Sequence, residues 1–123
     1  MRKTAVTADK LHLLRPALWG AKGTIKRELA TGVSSLYQSS DNNLLMVVRF
    51  EQGEMVVVAV VGRNLKSCVG EIITLAKQNF CTSIRFHTKH PRHLEKGVKG
   101  LVLTLIEVHK GIFSNEYVFR LEL

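Results

Sequence analysis

The sequence predicts one α/β domain spanning 1–123, with a mixed, mostly antiparallel sheet of about five strands, one βαβ crossover and helices on both faces. Three stretches predict it. Met55–Val61 is an unbroken apolar run rich in β-branched valine, short enough for a strand and without the polar alternation of a wet face, so it reads as a central strand buried on both sides. Leu44–Phe50 precedes it across Glu51-Gln52-Gly53-Glu54, where glycine supplies the unusual backbone angle of a hairpin turn. After Gly62 the apolar residues Leu65, Val69, Ile72, Ile73, Ala76 and Phe80 recur with helical spacing.

The other elements follow in chain order. Thr7 or Asp9 can cap a helix whose Leu11, Leu14 and Leu18 share a face. Pro16 breaks or restarts that helix, because it lacks a backbone donor and restricts Arg15 before it. Trp19, Ile25 and Leu29 continue the apolar spacing across Gly20 and Gly23, so the region to about Tyr37 holds two short helices, with Gly32 as a stop. The first nine residues offer no strand. Ser39-Ser40-Asp41-Asn42-Asn43 is a polar connector of turn formers. After the long helix, Thr82–His87 alternates Ile84 and Phe86 against Ser83, Arg85 and His87, which completes a right-handed crossover onto a parallel strand. His90-Pro91 starts a short surface helix within 89–99. Leu101–Val108 and Glu116–Leu123 close the chain as a hairpin around 110–115, with Tyr117, Phe119, Leu121 and Leu123 on one face.

Composition bounds the function. Hydrophobic residues make up 46% of the 123, enough for a real core. Eighteen Lys and Arg against 10 Asp and Glu give a net charge of +8, which suits an anionic partner: nucleic acid, a phosphate-bearing cofactor or an acidic protein. Cys68 and Cys81 lie near opposite ends of the long helix, about 20 Å apart, so they read as free thiols of a reducing compartment. With no signal-peptide core and no apolar run long enough to span a bilayer, the chain reads as cytoplasmic, without a membrane partner.

The order helix, helix, strand hairpin, long helix, strand, short helix, strand hairpin resembles the GNAT superfamily of N-acetyltransferases. VVVAVVGRNLKSCVGEIITLAKQ is similar to that family's core strand, pyrophosphate loop and following helix, and CTSIRFHTKHPRHLEKGVKG to its next strand and short helix. The likeness covers about 44–123. Such a loop works by presenting backbone N–H groups at a helix N-terminus, with small residues that permit close approach. The family pattern is Arg or Gln, two residues, Gly, one residue, then Gly or Ala. Arg63 fits its first position, while Lys66 and Cys68 stand at the two small ones.

The resemblance implies acetyl-CoA as cofactor and an amine as acceptor. Its pyrophosphate would lie on Val60, Val61, Gly62, Arg63, Asn64, Leu65, Lys66 and Ser67, and its pantetheine between Val57–Val61 and Thr82–His87. The tyrosine with which the family protonates its departing thiolate is missing from 91–99, and Tyr117 is the nearest by sequence. Glu51, Glu54 and His87 are candidate bases by topology alone, and no catalytic residue is assigned.

Other patterns point elsewhere. Cys81, His87, His90 and His93 invite a zinc reading, but Pro91 and the strand end split them between elements, so no metal is expected. Arg85, Lys89, Arg92, His93, Lys96 and Lys99, joined by Arg63 and Lys66, would form one basic rim, without the interleaved aromatics of a single-strand binder. Gly62–Ser67 lacks the glycine spacing of a P-loop, and no nucleophile elbow is present, so hydrolase readings have no support. Two functions therefore stand side by side: an acyl-CoA-dependent N-acyltransferase, and a small basic non-enzymatic adaptor of phage or mobile-element type that binds a protein or nucleic acid. An exposed strand edge at Leu44–Phe50 or Glu116–Leu123 would serve a homodimer.

Overall fold

The computed structural model describes residues 1–18, 22–112 and 114–123, the Lys22 side chain excepted. Trp19 and Gly20, placed by spacing on an apolar stripe, lie outside the described residues, as does Phe113 of the last hairpin loop. The elements run β1 (Arg2–Lys3), α1 (Ala8–Leu14), a 3-10 turn (Arg15–Ala17), α2 (Lys22–Thr31), β2 (Ser35–Gln38), β3 (Leu44–Glu51), β4 (Glu54–Gly62), α3 (Leu65–Gln78), β5 (Ser83–Thr88), α4 (Pro91–Gly97), β6 (Leu103–His109) and β7 (Glu116–Glu122).

Among the described residues seven strands, not about five, form one sheet in the order β1-β2-β3-β4-β5-β7-β6. The two unexpected strands are β1 and β2, too short to show a period; β1 pairs Arg2 with Gln38 and Lys3 with Tyr37. All pairings are antiparallel except β4 with β5, the single crossover through α3. The run Met55–Val61 is the middle strand of seven. Because β3 lies between β2 and β4, and β7 between β5 and β6, neither Leu44–Phe50 nor Glu116–Leu123 is a sheet edge, and the edge-pairing homodimer expected there has no edge to use.

Local chemistry accounts for the boundaries. Thr7 caps α1 by accepting from the Lys10 amide at 3.2 Å. Pro16 converts the continuation into the 3-10 turn, whose proline sits where no helical donor is needed. In the β3–β4 turn Gln52 and Gly53 both have positive φ, 44° and 78°, the pair of signs that matches the twist of a hairpin. α3 stops at Gln78, two residues short of Phe80, which is 90% exposed and not part of the packed stripe.

Helices cover both faces. On one, Cys68, Ile72, Leu75 and Ala76 of α3 and Leu94 of α4 pack on Met46, Val48, Met55, Val57, Ile84 and Phe86. On the other, Leu14, Leu18, Ile25 and Leu29 from α1, α2 and the turn between them cover Leu36, Leu45, Val47 and Ala59.

Candidate functional site

The site begins with an irregularity in β4. Val47 pairs with Ala59 but Val48 with Val57, leaving Val58 as an extra residue. The face assignment records the step: Val57 and Val60 pack with the α3 side, Val58 and Ala59 with the α1–α2 side. The ladder between β4 and β5 runs only from Glu54 and Ser83 to Val57 and Phe86, after which β4 continues to Gly62 and β5 to Thr88 unpaired to each other. The sheet therefore splays open at its centre, toward the carboxyl ends of its two parallel strands, where α/β sheets place their ligands.

A cleft flanks the splay on each face. On the α3–α4 side a space of about 170 Å³ is lined by Leu44, Val60, Val61, Gly62, Leu65 and Phe86, and by His93 and Leu94 of α4. On the α1–α2 side a space of about 120 Å³ is lined by Pro16, Ala17, Ile25, Val58, Ala59 and Glu116. Val60, His87, Thr88 and His90 border both, so the two clefts share the splayed strand ends.

The loop from β4 to α3 is held rigidly. Gly62 has φ of 128°, and a Cβ there would lie 1.9 Å from the Asn43 carbonyl oxygen; the Arg63 amide donates to that same oxygen at 2.9 Å. Asn64 is left-handed at φ 62°, and its carbonyl accepts from the Ser67 amide at 3.0 Å and the Ser67 hydroxyl at 2.9 Å. Of the eight residues expected at a pyrophosphate, Val60, Val61, Gly62 and Leu65 line the cleft, while Arg63, Asn64, Lys66 and Ser67 are exposed beside it. Cys68, the bulkier residue at a small position, is 1% exposed and turned into the core, so its side chain does not crowd the loop.

Among the candidate bases the structure brings His87 alone to the splay. Its Nδ1 lies 3.0 Å from Glu116 Oε1, and its buried Nε2 has no hydrogen-bond partner among the described residues. A carboxylate on Nδ1 fixes the tautomer that leaves Nε2 with its lone pair. Glu116, which sequence reading treated only as a strand start, is the missed member: a cross-strand contact with no sequence signature of its own. Glu54 opens β4, about 20 Å from Val60 at strand rise, and Glu51 ends β3 opposite it. There they anchor ion pairs. Glu51 meets Arg49 at 2.6 Å and Arg85 at 2.9 Å, and Glu54 accepts from Arg120 at 2.6 Å and from Ser83 at 2.7 Å. The Arg120 guanidinium, helped by Ser83, holds the Glu54 carboxyl below the usual carboxylate range. Tyr117 pairs with Thr88 and packs against the α3-side core.

Arg85 belongs to that distant ion network and so leaves the expected basic rim. Arg63, Lys66, Arg92, His93, Lys96 and Lys99 remain exposed around the α3–α4 side. His90 and His93 stack at 5.3 Å between ring centroids. Both cysteines are free and buried, and burial, with Glu54 nearby, pushes the Cys81 thiol up. Among the described residues no three His, Cys, Asp or Glu side chains gather as metal ligands, and no helix is long and apolar enough to cross a membrane.

No protein-family model and no curated protein sequence matches the chain. Solved structures do. An acetyltransferase of Bacillus subtilis in complex with CoA superposes with a TM-score of 0.70 at 15% identity, over 99% of this chain and 97% of that one. The ribosomal-protein alanine N-acetyltransferase of Escherichia coli gives 0.63 at 6% identity, over 98% and 92%. A Desulfovibrio desulfuricans protein assigned to the GNAT family gives 0.60 at 12% identity, over 98% and 96%. Identities this low speak to architecture, and the architecture of this chain is GNAT-like.

Proposed function

We propose that the chain is an acyl-CoA-dependent N-acyltransferase that uses acetyl-CoA and a primary amine. The observation that carries the reading is the splay itself, open to a cleft on each face and bordered by a histidine with a carboxylate on Nδ1 and, among the described residues, no partner for its Nε2. Past Val57, β4 offers N–H and C=O groups that no strand pairs on the β5 side, an edge that the amides of a pantetheine arm can use. Val60–Ser67 would receive the pyrophosphate at the start of α3, where exposed Arg63 and Lys66 add positive charge. The structural neighbour that holds CoA supports this choice of cofactor.

Bound acetyl-CoA supplies the thioester carbonyl that the amine attacks. The chain's residues do the rest. The 120 Å³ cleft admits the amine from the α1–α2 side; as the C–N bond forms and the C–S bond breaks, His87 Nε2 takes the proton that the nitrogen loses, and that proton then neutralises the departing CoA thiolate. Glu116 holds the imidazole in the receiving tautomer and stabilises the imidazolium. Positioning two reactants across one gap accounts for much of the acceleration such a site needs.

The test is thermal. At about 100 times Kd, a native-state ligand stabilises by about 2.7 kcal/mol, on the order of 10 °C for a domain of this size. No rise in Tm with acetyl-CoA far above micromolar concentration would sink the proposal. The second reading, a basic adaptor for a protein or nucleic acid, draws on exposed Arg63, Lys66, Arg92, Lys96 and Lys99. A salt-dependent shift of DNA without any response to acetyl-CoA would favour it.

A further inference from the structure

We infer that His109 is a positioning residue for acyl transfer, holding Glu116 on His87 from the edge strand β6, whose residues line neither cleft. The inference rests on the acyltransferase reading and extends its machinery one strand further out.

The register makes the case. β6 and β7 pair Leu103 with Leu121, Thr104 with Arg120 and Leu105 with Phe119, and then Glu107 with Val118. Ile106 is thus an extra residue. Continued without it, the ladder would set Val108 opposite Glu116; with it, His109 stands there. A one-residue slip sends every later side chain to the opposite face, so the bulge at Ile106 turns Glu107 and His109 toward Glu116.

The contacts agree. His109 Nδ1 lies 3.4 Å from Glu116 Oε1, the oxygen that also meets His87 Nδ1 at 3.0 Å, and Glu107 Oε2 lies 2.6 Å from His109 Nε2. His87, Glu116, His109 and Glu107 form a continuous row across three adjacent strands, from the cleft to the exposed edge. Glu116 needs such support: its side chain is 36% exposed, and a long carboxylate with one partner gains rotamer freedom by swinging into water. Once it swings away, His87 loses the contact that sets its tautomer. With a proton on each ring nitrogen, His109 donates through Nε2 to Glu107 and holds the Glu116 carboxylate through Nδ1.

Two measurements test this. With acetyl-CoA and a panel of primary amines, His109→Ala should lower kcat by about tenfold, short of the loss expected for a base, while KM for acetyl-CoA stays unchanged. In a Glu116→Gln background the same substitution should cost nothing more, the non-additivity of residues that act as a unit. By 15N NMR, the His87 ring should hold its proton on Nδ1 in the unaltered protein and divide between tautomers in His109→Ala. An active protein whose kcat and His87 tautomer are both indifferent to His109→Ala overturns this inference alone. A protein that neither binds acetyl-CoA nor turns it over overturns the acyltransferase reading and this inference with it.

Discussion

Gly97 of α4 lies directly against Leu65, the first residue of α3: a Cβ added at 97 would come within 2.4 Å of Leu65 Cδ2. The two helix ends meet where the α3-side cleft is walled, so the cleft's width depends on a residue without a side chain. Gly97→Ala should displace α4 or rotate Leu65, at about 1–3 kcal/mol, and should weaken stabilisation by acetyl-CoA. Chemical denaturation and a ligand titration of Tm check both parts.

Gly62 is less forgiving. Its φ of 128° disfavours any side chain, and the atom it would strike is a backbone carbonyl oxygen that cannot rotate aside. Gly62→Ala should therefore cost about 3 kcal/mol or more, as backbone strain adds to a clash. A variant with unchanged Tm would show that the β4–α3 loop is not pinned to Asn43.

His87→Gln should lower kcat by about 10²- to 10⁴-fold while leaving the acetyl-CoA shift in Tm intact, because the residue acts on the amine's proton and not on the cofactor. Steady-state kinetics beside a thermal titration separate the two effects. Equal loss of both would mean that His87 shapes the cleft and takes no proton.

Acid should unfold the protein through the ion network at the far end of β4. Arg120 holds the Glu54 carboxyl below its ordinary value of 4.5, and the hydroxyl of Ser34, with Arg49, does the same for Glu28. Both groups bind fewer protons folded than unfolded. Their stabilisation is therefore complete above the unfolded pKa and disappears as pH falls through the lower folded values. Tm followed downward from pH 6 should fall steeply below about 4.5, and more shallowly in Glu54→Gln, which lacks one titrating group.

Much of this fold is legible in the sequence because its strongest signals are local. The valine run gives the central strand, Gln52-Gly53 the hairpin, and Pro91 the start of α4. β1 and β2 are not legible: two and four residues are too few for a period, and their pairing is settled by β3. The rim at Val60–Ser67 follows from a buried strand turning into a helix, which is a contiguous pattern. The His87–Glu116 contact is non-local. It depends on which strand lies beside β5 and on its register, and neither is written near either residue. The same gap put Glu51 and Glu54 among the candidate bases, since topology alone did not say which end of β4 opens.

The parting of β4 from β5 after Val57 and Phe86 leaves hydrogen-bonding capacity idle in the middle of the sheet, where a ladder would otherwise be most secure. Strands that paired further would hold the sheet together more firmly, and selection for heat resistance alone would favour them. A natural chain that keeps the gap has accepted a softer centre. Heat tolerance and ligand entry should therefore trade against each other in any engineered version of this protein.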